Sequence, residues 1–496
     1  MSEAHSAAAQ VTRLSHDFLA EYRSSGRYRR DIVDEIADIA LAPDNVDAVD
    51  GTRDLFSSLI EPLADSFEPA SVSVYNRVFA QLVQTCRRSE PALDSELARL
   101  GVQDEQDLIR RADSLRPRFE VGEPARANDP TTWRRLKRAI VLSRVTLGAD
   151  VAITSVILER VRQELSEAEI ILAGGGKMEE LFGGDLGLGF HELGYQRFAS
   201  LRDRLLSWLD VVNAVRHLTA GLTESEWVIV DPDSRLTQLG VLPLVHPSSA
   251  SQYLFFPSRE FGDNSTSALG KLAADWADEV FGNKRRTSPR ISLKNGDVES
   301  GERLAGALRR SGGRSVATVN FGVGENDAKR VGGGFETALV MSLLREGAAV
   351  VLDRGAGEVE SNRIDAIVAR ARAERAADDM LRVLEIEEEG LPAALARESL
   401  KTDVLVWRGR IGLLGALIRA SDCYIGYDSA GQHIAAALGA PCVDVIAGAP
   451  SARFIQRWKP VGSSEAAVVV ADGSRAVEQL AAEVIGHWRR IALRDT

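Results

Sequence analysis

The sequence predicts an α/β protein in which an all-helical stretch precedes two doubly wound, parallel-sheet domains. Three observations carry this. Apolar residues recur at helical spacing up to about residue 137. From Ala139 onward, short apolar runs alternate with amphipathic segments, the pattern of βαβ units. Finally, Asp422 to Pro450 reads as a complete strand-turn-helix-strand unit. There Cys423 to Gly426 is an apolar strand, Tyr427 to Gly431 a turn of small and polar residues, and Gln432 to Leu438 an Ala-rich helix. Gly439 stands where a helix-ending glycine belongs, Pro441 stops the helix, and Cys442 to Ile446 is a second buried strand.

Size and composition bound the rest. A chain of 496 residues exceeds one typical core and suggests two or three domains. Hydrophobic residues at 45% and charged ones at 27% are ordinary for a globular protein. The net charge of −12 argues against general nucleic-acid affinity and leaves a small molecule or a protein as partner. The three cysteines (Cys86, Cys423, Cys442) lack Cys-x-x-Cys spacing and read as core hydrophobes in a reducing, cytoplasmic setting. Met1 to Gln10 has no apolar signal core, and no run of about 18 apolar residues occurs. A peripheral membrane contact stays open.

In chain order, the helical region 1–137 carries the periodic sets Ile32, Ile36, Ile39 and Leu41, then Leu55, Leu59 and Leu63, then Val74, Val78, Phe79 and Leu82. Breaks fall at Pro43, Asp50-Gly51, Pro69 and Pro91. No catalytic constellation is visible in this region. His5 and His16 read as solvent-exposed, and Arg134, Arg135, Lys137 and Arg138 as a solvated helix face. The first sheet domain, 138–282, opens with the strand Ala139 to Val145, a helix from Val151, and the strand Glu169 to Ala173 ending in three glycines. It continues with a helix Phe198 to Leu218, the strand Trp227 to Val230, a strand Tyr253 to Pro257 and a helix Ala268 to Phe281. Polar, turn-rich residues 283–297 read as a linker.

The second sheet domain, 298–473, repeats the theme. Ser315 to Phe321 is a strand followed by a glycine-rich loop, Gly322 to Gly334, that carries Lys329 and Arg330; Phe335 to Leu344 is a helix. Ala348 to Leu352 and Thr402 to Trp407 are strands, Ile411 to Arg419 is a helix, and a C-terminal helix spans 474–496. In the final strand-turn-helix unit, Asp428 and Ser429 are good helix caps. Ala430 and Gly431 leave backbone N–H groups bare at a helix N-terminus, where an anion is stabilised.

The run from Arg408 through Asp-Cys-Tyr-Ile-Gly-Tyr-Asp-Ser-Ala-Gly-Gln-His to Leu-Gly-Ala-Pro resembles the C-terminal signature of glycosyltransferase family 9, the ADP-heptose:lipopolysaccharide heptosyltransferases. That signature reads Asp-[Ser/Thr]-Gly-x-x-His before an Ala-rich helix. Here Ala430 takes the glycine position, Gly431 the next, and His433 keeps its place. Three more matches keep the family's order. Arg144 to Asp150 resembles Arg-x-x-x-x-Gly-Asp, with Ala149 for glycine. Asn320-Phe-Gly-Val-Gly with Ala328-Lys329-Arg330 resembles Asn-Pro-Gly-Ala-Gly and Lys-Arg-Trp, with Phe321 for proline and Val331 for tryptophan. Gly355-Ala-Gly-Glu358 resembles Gly-x-x-Glu.

The resemblance covers about residues 139 to 465 and implies the GT-B fold, two Rossmann-like domains facing a cleft. It implies an inverting, metal-independent transfer of a heptose or similar sugar from a nucleoside diphosphate to an acceptor hydroxyl, with no cofactor beyond the donor. Asp150 is then the candidate general base and Lys329 the cation for the leaving diphosphate. Gly322, Gly324, Arg330, Glu358, Asp428, Ser429, Ala430, Gly431 and His433 are candidate donor-binding residues. The acceptor (glycolipid, glycan, protein or small molecule) is unassigned. The substitutions at Ala149, Phe321, Val331 and Ala430 motivate an alternative, a non-catalytic GT-B scaffold working through its helical domain, and a sugar-nucleotide epimerase is a further one. A homo-oligomer formed through the helices is compatible with either.

Overall fold

The computed structural model describes residues 6–42, 46–116, 133–184, 187–262, 265–311, 315–324, 326–355, 357–374 and 380–492. His5, and the end of the helical stretch before residue 133, lie outside them. The first part of the chain forms the helices Ala7–Ser25, Arg30–Ala40, Val46–Leu55, Glu61–Ala64, Pro69–Arg87, Pro91–Arg99 and Glu105–Ser114. Asp104 caps the last of these, its carboxylate accepting from Asp107 N at 3.0 Å.

Two parallel sheets come next. The first contains β1 (Arg138–Leu142), β2 (Glu169–Gly174), β3 (Leu188–Glu192), β4 (Trp227–Asp231) and β5 (Tyr253–Phe255), in the order β3-β2-β1-β4-β5. The second contains β6 (Ser315–Asn320), β7 (Ala348–Asp353), β8 (Val383–Glu387), β9 (Val404–Arg408), β10 (Cys423–Tyr427), β11 (Cys442–Ala447) and β12 (Ala466–Ala471), in the order β12-β11-β10-β6-β7-β9-β8. Their central strands are buried almost throughout because helices cover both faces.

Alternation along β1 separates two cores. Ala139 and Val141 join a cluster with the helices Ser155–Glu164 and Leu269–Phe281 and with Leu413, Leu417 and Ile434 on helices of the second-sheet domain. One apolar body therefore runs through both sheet domains. Ile140 and Leu142 face the other way, into a cluster with Val78, Phe79 and Leu82 of the helical region and Trp208 of the helix Leu201–Leu218. The helical region is thus one wall of the first sheet. Its Thr52 hydroxyl accepts from Leu201 N at 2.8 Å, tying it to the start of that helix.

Segment 283–294 connects the sheets while pinned to the first. Ser292 N donates to Leu181 O at 2.9 Å, Gly184 N donates back to Ser292 O at 2.8 Å, and Ile291 and Leu293 are buried. The regular helix Asn295–Arg309 begins within the stretch expected as linker. The far face of the second sheet is closed by the helices Phe335–Arg345, Glu358–Glu374 and Val477–Ala492.

Candidate functional site

Open α/β sheets bind ligands beyond the carboxyl ends of strands where the strand order reverses. In the first sheet that point lies between β1 and β4, and in the second between β6 and β10. Both places hold residues singled out from sequence: Asp150 comes after β1, Lys329 after β6, and Asp428 to His433 after β10.

On the first-sheet side the backbone is strained and the polar groups are locked. After β1, Val145 adopts φ 79°, and after β4, Asp233 adopts φ 68°, conformations a side chain tolerates only when its surroundings enforce them. Asp150 enforces the first. Its Oδ1 accepts from Arg144 N at 2.7 Å and Thr154 Oγ1 at 2.8 Å, and its Oδ2 accepts from Ser143 Oγ at 2.8 Å. The carboxyl is 0% exposed. Burial raises it to about 6 against the pull of those donors. Asp233 enforces the second, accepting from Ser258 Oγ at 2.7 Å and Arg259 Nε at 3.2 Å.

On the second-sheet side the helix Ala430–Ala437 points its N-terminus at this turn. Ser429 and Gln432 form a capping box, Ser429 N donating to Gln432 Oε1 at 2.8 Å. The N–H groups of Ala430 and Gly431 have no acceptor among the described residues. Gly431 lies flat on the Tyr424 ring, and a Cβ there would overlap the ring and its hydroxyl. Lys329 Nζ donates to Asp428 Oδ2 at 2.6 Å, and Gln432 Nε2 donates to Asp428 Oδ1 at 3.1 Å. Burial alone would lower the Lys329 ammonium, but the Asp428 charge and hydrogen bond turn the net direction upward. His433 is pushed down to about 4 by burial, so it is neutral at physiological pH, with its ring 6.0 Å from that of Trp458. The two sides meet: a Cβ on Gly148 would lie 3.3 Å from both Ala430 Cα and His433 Cδ2.

Other expected donor residues stand apart from this junction. Arg330 is committed to Glu336 at 2.8 Å. Gly324 is exposed at φ 62°. Gly322 N donates to Asn320 Oδ1 at 2.8 Å, closing the turn after β6. Glu358 is exposed at the start of its helix. Glu360, two residues on, is the carboxylate that lies over Gly322 and Gly355.

Several polar groups of the junction escaped sequence reasoning. Asp444, inside β11, is 0% exposed and neither oxygen has a hydrogen-bond partner. A carboxylate within Cys-Val-Asp-Val-Ile was a visible signal for it. Arg235, in the turn after β4, points Nη1 at the Tyr75 hydroxyl of the helical region, 3.4 Å away. Asp65, also helical, feels the charges of Arg235, Lys329 and Asp428. Nothing in the local pattern around Asp65 announces this. Among the described residues no group of three His, Cys, Asp or Glu side chains could hold a metal ion, and no helix is long and apolar enough to cross a membrane.

No family model and no curated protein sequence matches the chain. Solved structures do. A family 9 glycosyl transferase from Veillonella parvula superposes with a TM-score of 0.50 at 12% identity, covering 72% of this chain and 98% of that one. The ADP-heptose lipopolysaccharide heptosyltransferase II of E. coli gives 0.46 at 13%, covering 71% and 99%. E. coli heptosyltransferase WaaC with ADP-2-deoxy-2-fluoro heptose gives 0.46 at 14%, again covering 71% and 99%. The first comparison shows the fold: two parallel-sheet domains of the GT-B kind, as the sequence motifs led us to expect.

Proposed function

We propose that the chain is a glycosyltransferase that moves a sugar from a nucleoside diphosphate to an acceptor hydroxyl. One observation carries the reading: the unpaired Ala430 and Gly431 N–H groups and Lys329 converge where the switch points of the two sheets meet. Positive partial charge at a helix N-terminus and an ammonium beside it are what a departing diphosphate requires, since its negative charge grows as the anomeric bond breaks. In this reading Lys329 exchanges part of its bond with Asp428 for the phosphate oxygens. Transfer inverts the anomeric centre, the acceptor oxygen arriving on the face opposite the diphosphate, and Lys329 and the helix N-terminus supply the positive charge in place of a metal. Asp150 holds the turn that presents Gly148 to Ala430.

The test is nucleoside diphosphate release from a panel of ADP-, GDP-, UDP- and dTDP-sugars. Lys329→Met is expected to lower kcat by roughly 10²- to 10³-fold, the usual effect of removing one stabilising donor. Asp150→Ala is expected to abolish turnover by releasing the strained turn. Unchanged turnover in either variant removes that residue's role, and a panel that is neither bound nor cleaved removes the class.

A second reading, a GT-B scaffold without catalysis, is favoured by the full burial of Asp150 and the close approach of Gly148 to Ala430. Calorimetric donor binding without release of diphosphate would support it.

A further inference from the structure

The loop that carries Lys329 departs from the resemblance at two positions, Phe321 and Val331, and both meet the same side chain. Tyr427 is the last residue of β10 and directly precedes Asp428, the partner of Lys329. Its ring lies 5.8 Å from that of Phe321 and 6.1 Å from that of Phe335, and its hydroxyl accepts from Val331 N at 3.3 Å. The tyrosine has no exposed surface. It stands beside a loop whose backbone includes three consecutive glycines at positive φ, Gly332 to Gly334. Such a backbone has little stiffness of its own and must be held from outside.

One carboxylate does the holding. Glu336, in the first turn of the helix Phe335–Arg345, is 4% exposed. Its Oε1 accepts from Arg330 Nη2 at 2.8 Å, from Arg330 Nε at 3.2 Å and from Tyr427 Oη at 3.0 Å. The helix N-terminus favours a negative charge there. Burial, and then the charge of Glu336, push the Tyr427 hydroxyl up, so it stays a donor. Arg330 follows Lys329 in the chain, and Tyr427 precedes Asp428. Glu336 therefore grips the neighbour of each member of the Lys329–Asp428 pair. A further tether of the loop, Asp327 to Arg363 Nη2 at 2.6 Å, has an Asp327 side chain 71% exposed, and an ion pair so open contributes little.

We propose that Glu336 is the positioning residue for Lys329, an assignment that rests on the glycosyltransferase reading given above. A lysine carries its charge on a long, flexible stem, so the ammonium is placed only as well as its backbone and its partner are. When Lys329 gives up part of its bond to Asp428 for the phosphate oxygens, the backbone alone decides where the charge points. Glu336 fixes that backbone through Arg330, and it fixes Asp428 through Tyr427. Arg330 then serves the donor without touching it. The departures at Phe321 and Val331 become parts of a working clamp rather than marks of a lost site.

The experiment is a double-mutant cycle in the full chain, using the donor found in the panel. Glu336→Gln keeps the shape of the side chain and removes its charge. Alone, it is expected to lower kcat by roughly 10- to 10²-fold with KM for the donor little changed, the signature of misplacing a group that acts in the transition state. In the Lys329→Met background it should cost nothing further, because the group it positions is gone. Tyr427→Phe, which removes one hydroxyl and keeps the ring, should show the same dependence on Lys329 at smaller size, and it decides the matter by the same cycle if Glu336→Gln does not fold. Full activity of Glu336→Gln overturns the assignment, as does an equal loss in both backgrounds, which would make Glu336 structural. An unaltered chain that cleaves no donor overturns the glycosyltransferase reading itself, and the role of Glu336 with it; that failure shows before any substitution is made.

Discussion

At the residue scale, the costliest side chain near the junction is Asp444. A carboxyl with no exposed surface and no partner is stable only when protonated. Burial and the neighbouring Asp428 raise it well above the usual carboxylate range, with Lys329 pulling the other way. Its native form thus binds the proton more tightly than the unfolded chain does. The stability this contributes is fully present below the unfolded value of about 3.9 and is lost as pH rises toward and through the native value, at about 1.4 kcal/mol per unit of separation. Asp444→Asn removes that dependence. Its stability relative to the unaltered protein should therefore be lowest near pH 4 and rise steadily to pH 8, which urea unfolding at several pH values measures. A flat difference would mean that the carboxyl finds a partner. Residue-level legibility obeys the same physics. Asp150, Lys329, Asp428, Ser429, Ala430, Gly431 and His433 stand beside strand ends, where local pattern marks them. Asp65 and Arg235 owe their place to packing between segments far apart in the chain, which no local pattern encodes.

At the scale of elements, the strand-turn-helix unit depends on one contact that only glycine permits. Tyr424 is fully buried, so its ring cannot retreat, and Gly431 rests against it at the first turn of the helix Ala430–Ala437. Gly431→Ala should destabilise by about 1–3 kcal/mol, the usual cost of overpacking a filled core. Because the displaced backbone carries the unpaired N–H groups, affinity for the diphosphate should fall as well. A shifted unfolding midpoint in urea and a weakened calorimetric titration check the two effects separately, and neither changing would mean that the helix slides freely. The central strands were legible because covering both faces makes each a largely apolar run. β3 (Leu-Gly-Phe-His-Glu) and β8 (Val-Leu-Glu-Ile-Glu) were not, since both are edge strands, half-exposed and mixed in composition. The helix expected from Val151 begins instead at Leu147 and passes through a π turn, Asp150–Thr154. The hydrogen bonds of Asp150 to Ser143, Arg144 and Thr154 bind that turn to the end of β1, a tertiary constraint that propensity does not register.

At the scale of the molecule, the helical region behaves as part of the sheet it covers. Composition separates residues 1–137 from the remainder of the chain, because the hydrophobic period changes there, yet a change of period marks a change of secondary structure and need not mark a boundary between cores. Ile140 and Leu142 of β1 and Ile229 of β4 bury themselves against the same cluster as Phe79 and Leu82. Arg202 bonds Glu90, and Arg116 bonds Glu260, across the same contact. A chain beginning at residue 133 would uncover the part of that cluster which the N-terminal helices bury, on the first sheet and on the helix Leu201–Leu218, an exposed apolar surface of the kind that drives association. Such a chain is expected to aggregate or to bind a hydrophobic dye such as ANS. In the full chain the helices and the first sheet should unfold in a single calorimetric transition. An independent helical domain would behave otherwise: it would melt in its own transition and leave a soluble, cooperatively folding remainder from residue 133.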